Sequence, residues 1–598
     1  MTKPMFLIDP PRFMFFTGKG GVGKTSIACA TAIDMARDGK SVLLVSTDPA
    51  SNIGQVFGMS IGNKITEISQ VTGLSALEID PEQAAEAYRE RILGPLRTSL
   101  PQAEIASVAE QLSGSCTTEI AAFDEFTTLL TEGSGRLDAF NHVLFDTAPT
   151  GHTIRLLQLP GSWTSFLQTG KGDASCLGPL AGLEKQKATY AAAVAALADP
   201  TRSRLLLVAR PSRSALAEID RTHRELAALG LTRQYVVVNG VLPTPTDNSD
   251  PLATAIHLRE QSALARMPTG LKGLPLDVIE LKAANMVGLA ALETLFELSA
   301  PDAENTANTA GESIPEIANR QLLGLVDEIE QGGPCLVMCM GKGGVGKTTV
   351  AAAVAVALAE RGHDVHLSTT DPAAHLSETL CGSVDNLGVS RIDPVAAREA
   401  YSARVMAAKG ASLDDQGRAN LAEDLRSPCT QEVAVFQAFS RVIQESRKKF
   451  VVLDTAPTGH SLLLLDATGS YHRDIMRNAA AGVRYVTPLM RLQDRAATKV
   501  LLITLAETTP VLEAAELQVD LVRAGIHPWA WIVNNSVAAA GPIAPLLRRR
   551  AAHELEQIDK VRTELADRYA VIPLLADEPV GIPALEALLA PSQPLPVQ

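Results

Sequence analysis

The chain has 598 residues, 46% of them hydrophobic, with 53 Lys and Arg against 67 Asp and Glu for a formal net charge of −14. This composition is globular and excludes a disordered or collagenous chain. The acidic balance and an aromatic content of 4% argue against nucleic-acid binding, which needs phosphate-neutralising cations or stacking platforms.

Taken in chain order, residues 1–16 lack the basic region, apolar run and cleavage site of a secretory leader. Phe13–Thr17 is a short apolar run that predicts a strand buried on both faces. A glycine-rich turn, Gly18-Lys19-Gly20-Gly21-Val22-Gly23-Lys24-Thr25-Ser26, leads from it into a helix. Val42–Thr47 predicts a second strand, ending before Asp48-Pro-Ala50. Cys116 opens a helix on which Ile120, Phe123, Phe126 and Leu130 recur at helical spacing. Val143–Thr147 is a strand running into Asp146-Thr-Ala-Pro-Thr-Gly-His152. Cys176 lies in a glycine-punctuated loop, and Leu205–Ala209 and Tyr235–Asn239 add two strands. Residues 299–313 are small, polar and aperiodic, as a flexible linker is.

The pattern then begins again. After a short helix past Ile314, strands are expected at Cys335–Met340, Val365–Thr370, Phe450–Thr455, Val500–Leu505 and Ala530–Asn534. Gly341-Lys342-Gly343-Gly344-Val345-Gly346-Lys347-Thr348-Thr349 repeats the glycine turn at an offset of 323, and Asp371 repeats Asp48 at the same offset. Cys429 repeats Cys116 at 313, and the block from Asp454 to His460 repeats that from Asp146 to His152 at 308. Four blocks in one order with drifting offsets mean a duplicated domain. The expected architecture is α/β: two tandem homologous P-loop NTPase domains, residues 1–298 and 314–598, each a mostly parallel sheet covered by helices.

A strand, then G-x-x-x-x-G-K-T, then a helix is a phosphate-binding loop in its required context. Its glycines let successive N–H groups point at phosphate oxygens, and the helix N-terminus adds a positive dipole end. Lys24 and Lys347 are expected at the β- and γ-phosphates of ATP, and the Thr25 and Thr348 hydroxyls at Mg²⁺. Asp48 and Asp371, at strand ends facing the ligand crevice, are expected to orient or deprotonate the attacking water. Asp146 and Asp454 end another strand, where a partner for Mg²⁺-bound water belongs. Asn239 and Asn534, at the ends of matched strands, are grouped with the nucleotide ligands. Lys19 and Lys342 are extra lysines in the two loops. They resemble those of the deviant Walker A ATPases, which work as face-to-face dimers; the resemblance implies an intramolecular pseudo-dimer in which each lysine reaches the opposite nucleotide.

Of the seven cysteines, Cys29, Cys335, Cys339 and Cys381 read as structural, and none of the seven forms a C-x-x-C pair. Cys116 and Cys429 sit at helix starts, where the dipole favours thiolate, and soft thiolates select soft ions. The segments Leu112–Ile120, Ser175–Gln186 and Arg426–Thr430, with the paired loops and paired D-T-A-P-T-G-H blocks, resemble the arsenical pump-driving ATPases over nearly the whole chain. That resemblance implies that Cys116, Cys176 and Cys429, with His152, Ser427 and His460 beside them, bind As(III) or Sb(III) and so activate ATP hydrolysis. It also implies a membrane arsenite efflux channel as partner and a chaperone that delivers metalloid. The place implied is the cytoplasm, at the inner face of the membrane. Ser461 stands where the first half has Thr153, a change expected to be silent. The alternative is the targeting chaperone for tail-anchored membrane proteins, which typically has one such half per chain and a zinc-binding C-x-x-C pair. A partition ATPase would need a basic or amphipathic surface that this sequence lacks. No nucleic acid, no structural zinc and no membrane span are expected.

Overall fold

The computed structural model describes residues 3–47, 53–97, 101, 105, 108, 109, 112, 115–130, 137–147, 192, 193, 195–245, 249–298, 321–371, 376–409, 411, 413–425, 428–456 and 487–589. The first half builds a sheet from β1 (Phe13–Thr17), β2 (Val42–Ser46), β3 (Thr66–Glu67), β4 (Leu74–Glu78), β5 (His142–Asp146), β6 (Ser203–Ala209), β7 (Gln234–Val241) and β8 (Leu276–Glu280). Their spatial order is β3-β4-β2-β5-β1-β6-β7-β8. The second half uses β9 (Leu336–Met340), β10 (Val365–Thr369), β11 (Leu387–Arg391), β12 (Phe450–Asp454), β13 (Thr498–Leu505), β14 (Pro528–Ser536) and β15 (Tyr569–Pro573). Its order, β11-β10-β12-β9-β13-β14-β15, repeats the first without β3. All pairings are parallel except that of β3 with β4.

All ten expected strands are present, with ends shifted by a residue or two. Five more complete the sheets: β3, β4, β8, β11 and β15, all at or next to an edge. An outer strand need not be apolar on both faces. Leu276–Glu280 and Leu387–Arg391 accordingly carry acidic, Ser and Arg side chains and lie half in solvent. The central strands β1, β2, β9 and β12 are buried at every residue.

The glycine loop follows β1 in one half and β9 in the other. Each lies at the carboxyl end of the sheet where the strand order reverses, the place where open α/β sheets bind ligands. The helices Lys24–Arg37 and Lys347–Glu360 begin directly after the loops and are buried along most of their length. The helix Ser115–Leu130 docks on the first sheet through Phe126, which meets Phe145 edge-on at 5.2 Å. Phe145 in turn stacks on Phe15 at 4.8 Å.

The two halves meet at their loops and along one flank. A Cβ on Gly20 would lie 2.6 Å from Gly343 Cα, so the glycine backbones touch directly. On the flank, the N–H groups of Ile543 and Ala544 donate to Asp250 Oδ2, both at 2.7 Å. Asp250 Oδ1 meanwhile caps its own helix, Pro251–Ala265. Arg259 Nη1 donates to the Leu575 and Ala576 carbonyls at 3.0 and 2.9 Å. Leu242, Leu252, Ala253 and Ile256 join the core of the second half. Residues 299–313, expected as the linker, lie outside the described residues.

Asp250 is buried, caps its own helix, and with its other oxygen holds the backbone that leads into the second-half helix Pro545–Lys560. Asp250→Ala should therefore cost about 2–4 kcal/mol of unfolding free energy, as lost caps and charged hydrogen bonds do. Urea denaturation of the variant checks this; a loss within about 0.5 kcal/mol, the usual range of a surface substitution, would show the contact to be idle.

Candidate active site

Both loops are shaped by close backbone approach. A Cβ on Gly18 would fall 2.2 Å from Val208 O, and one on Gly341 2.3 Å from Ile503 O. Gly23 and Gly346 adopt φ of +89° and +91° and start the helices. Behind them, Asn239 Nδ2 donates to Val22 O at 2.8 Å and Asn534 Nδ2 to Val345 O at 2.9 Å. The two asparagines, grouped with nucleotide ligands from the sequence, here hold the loop backbones in their curl.

Lys24 and Lys347 are buried, and each curls over its loop. Lys24 Nζ donates to Lys19 O at 3.4 Å, and Lys347 Nζ to Lys342 O at 2.9 Å. Burial pushes the Lys347 pKa down, while Asp454 and Asp371 oppose that shift. The charge of Lys19, from the other half, adds to the lowering, so the second site feels the first half's loop.

The strand-end aspartates face the loop threonines. Thr25 Oγ1 donates to Asp146 Oδ2 at 2.7 Å, and Thr348 Oγ1 to Asp454 Oδ2 at 2.8 Å. Thr369 Oγ1 also donates to Asp454 Oδ2, at 3.1 Å, and accepts from the Asp371 N–H. Strand register explains the match: Ser46 lies opposite Asp146, and Thr369 opposite Asp454. Asp371 is buried beside this network. Asp48 and residues 49–52 lie outside the described residues.

Burial raises the Asp454 pKa to about 6, with the nearby Asp371 charge adding to the rise and Lys347 and Thr348 opposing it. Asp454 Oδ1 is buried with no hydrogen-bond partner among the described residues. A carboxylate oxygen left open beside a threonine hydroxyl is an oxygen donor set that suits Mg²⁺.

A cavity at the first loop is walled by both halves. Gly23, Lys24 and Thr25 line one side, and Lys342 and Glu513 of the second half line the other. Lys342 pairs with Glu513, and Lys19 Nζ lies 3.1 Å from Glu218 Oε2. Sequence reasoning missed both glutamates, which stand at no fixed spacing from the loops. It also missed Arg210, Glu507 and Arg550, which line the same cavity, with Arg550 paired to Glu507. Arg210 comes from the first half and Glu507 and Arg550 from the second, so only the docked halves place the three in one cavity, and no local signal pointed to them.

Of the expected metalloid residues, Cys116 begins the helix Ser115–Leu130 and Cys429 the helix Pro428–Glu445. Their side chains, and all of His152, Cys176, Ser427 and His460, lie outside the described residues. Cys29, Cys335 and Cys339 are buried. Burial pushes up all three pKa values, that of Cys335 to about 11. Cys381 departs from the structural reading: it is exposed just past the helix Leu376–Leu380, at φ +41°.

The profile of the anion-transporting ATPase family matches residues 11–299 and 335–493. An arsenical pump-driving ATPase of Escherichia coli is 59% identical over 98% of this chain and 99% of its own. One from Acidiphilium multivorum is also 59% identical, over 97% of this chain and 99% of its own. The ATPase GET3 of Kluyveromyces lactis is 30% identical over 40% of this chain and 74% of its own.

Two outcomes follow from this geometry. The folded pKa of Asp454 lies above the ordinary carboxylate value, so between about pH 4 and 6 the folded state binds more protons than the unfolded one, and stability falls as pH rises through that window. Asp454→Asn removes the penalty. Without nucleotide it should melt higher than the parent at pH 8, by at most about 3 kcal/mol of stability, with the gap closing toward pH 4. A gap independent of pH would overturn the assignment. Brief alkylation of the native protein should label Cys381 and spare Cys29, Cys335 and Cys339, as peptide mass mapping reads directly.

Proposed function

The chain belongs to the anion-transporting ATPase family, and on that premise we propose that it hydrolyses ATP to drive arsenite and antimonite through a membrane efflux partner. The proposed units are residues 1–298 and 314–598, joined by 299–313. One observation carries the reading: the loops pack glycine against glycine within one chain, and the cavity at the first loop is walled by both halves. The high identity to pump-driving ATPases runs the whole length of the chain, whereas the likeness to GET3 is partial. That difference in coverage favours the pump reading over the targeting chaperone.

In this reading the loop N–H groups, Lys24 and Lys347 bind the β- and γ-phosphates. Lys19 and Lys342 each serve the opposite half's nucleotide. Asp48 and Asp371 orient the attacking water and draw its proton. Thr25 with Asp146, and Thr348 with Asp454, hold Mg²⁺, which would offset charge on the phosphate oxygens. Phosphoryl transfer needs little covalent help from the protein, so these groups act by placing charge where the transition state develops it.

The metalloid is the activator. Cys116 and Cys429 occupy repeat-equivalent helix starts, so one As(III) held by both thiolates would tie the halves together. Cys176, His152, Ser427 and His460 complete the proposed ligand set. Closure of the halves then favours hydrolysis, and linkage requires ATP to tighten metalloid binding by the same factor. The membrane channel and a chaperone delivering metalloid are the proposed partners, with the protein working at the inner face of the membrane. No described helix is long and apolar enough to cross a membrane.

Steady-state ATPase rates with and without As(III) test the proposal. Cys116→Ser, Cys176→Ser and Cys429→Ser should keep basal hydrolysis and lose stimulation, since a serine hydroxyl is a hard, protonated ligand. Serine at Cys29, Cys335, Cys339 or Cys381 should keep stimulation. Lys24→Ala and Lys347→Ala should each remove most activity; full activity in either would show that the halves work independently. Asp371→Asn should bind ATP but turn it over slowly.

A further inference from the structure

Each loop's extra lysine is held by a glutamate from its own half. Lys19 Nζ lies 3.1 Å from Glu218 Oε2, and Lys342 Nζ pairs with Glu513 Oε1. These are one contact made twice. Leu207 of β6 lies opposite Thr17, and Leu502 of β13 opposite Met340, so positions in this part of the halves correspond at an offset of 295. Glu218 and Glu513 stand at that offset, as do Asn239 and Asn534. The glutamates sit on the equivalent helices Arg213–Ala228 and Thr508–Arg523.

The second pair is poorly solvated, with the Glu513 side chain 5% exposed and that of Lys342 16%; the first is more open, with Glu218 at 13% and Lys19 at 33%. Lys342 and Glu513 line the first-half cavity beside Lys24 and Thr25. At the other site, the charge of Lys19 acts on Lys347. Each lysine is thus in reach of a nucleotide bound by the other half, yet its ammonium is neutralised by a carboxylate.

We propose that Glu218 and Glu513 are latches: each holds its half's lysine in an ion pair that nucleotide phosphates must break before that lysine can act across the interface. The inference rests on the reading that Lys19 and Lys342 serve the opposite site. A triphosphate carries more negative charge than one carboxylate, so the exchange proceeds once ATP is bound. The latch weakens ATP binding and keeps basal turnover low until the halves close. Gln in place of either Glu keeps the shape and an acceptor oxygen but removes the competing charge.

The test compares the full-length parent, the Glu218→Gln/Glu513→Gln double variant, Lys19→Ala/Lys342→Ala, and the four combined, all without metalloid. The Gln pair should lower the KM for MgATP and raise basal kcat, each by about two- to fivefold, the scale of a partly screened ion pair. In the lysine-free background the Gln pair should leave kcat unchanged, because the glutamates act through the lysines. A Gln pair within about twofold of the parent in both constants, or slower than it, overturns the latch. So does a gain in kcat from the Gln pair where the lysines are absent. If Lys19→Ala/Lys342→Ala turns over at the parent rate, the cross-interface reading fails instead. Thermal melting verifies that each variant folds; should the buried pair not tolerate Gln, Glu218→Gln alone, at the more exposed pair, carries the same comparison.

Discussion

The contact of Gly20 with Gly343 constrains everything else. Two phosphate loops can lie backbone to backbone only where no Cβ intervenes, and a methyl group on either glycine would collide with the other half. The same glycines must also curl their N–H groups toward phosphate. One residue type therefore meets two demands, one on the ligand side and one on the interface side. Because the loops touch, a residue next to either glycine is already at the other half's site. Lys19 and Lys342 are those residues.

Bringing the loops together concentrates charge in a small, dry space. Lys347, Asp371 and Asp454 are all buried within reach of one another's fields, and burial raises Asp454 while lowering Lys347. Threonine hydroxyls satisfy one oxygen of Asp454, and the other has no hydrogen-bond partner among the described residues. Protein groups alone leave this site under-satisfied. On the proposed reading, phosphate and a divalent cation would supply the missing partners together, so the strain of burying these charges would be relieved by binding.

The buried middle of each sheet was legible because its strands are apolar on both faces and end in residues with specific chemistry. Phe13–Thr17 and Phe450–Asp454 could hardly be anything else. The edge strands were not legible, since Leu387–Arg391 and Leu276–Glu280 need only half a face of apolar contact and so lack a strong pattern. Within the site, the loops and strand-end aspartates could be read because each chemical role demands one residue type at one spacing. Glu218 and Glu513 carry no such spacing to the loops. They lie about 200 and 170 residues from the lysines they hold, and only the register of β6 and β13 brings them together. Arg550 and Glu507 were hidden more deeply, since they join a cavity whose other wall is the first half. Cys381 does follow a helix, Leu376–Leu380, but it is exposed there, and position after a helix carries no signal of burial.

How a metalloid at Cys116 and Cys429 would be felt at the phosphates is a question of packing. On the helix that begins with Ser115 and Cys116, Phe126 meets both Phe15 and Phe145. Phe145 immediately precedes Asp146, and Phe15 lies two residues before the end of β1. The second half repeats the arrangement with different side chains. Phe439 and Ile443, on the helix that begins with Pro428 and Cys429, share a core cluster with Leu453, the neighbour of Asp454. Interiors packed at crystal density do not absorb a displaced helix; they pass the displacement on or resist it as a whole. Such contacts do not by themselves constitute a signal, because coupling requires an element with two arrangements that both ligands bias. On the proposed reading the apposed halves are that element. A metalloid bond between the two helix starts and a lysine exchanged between glutamate and phosphate would both favour the same closed docking, and the packed core beneath each helix would keep that helix and its aspartate moving as one piece.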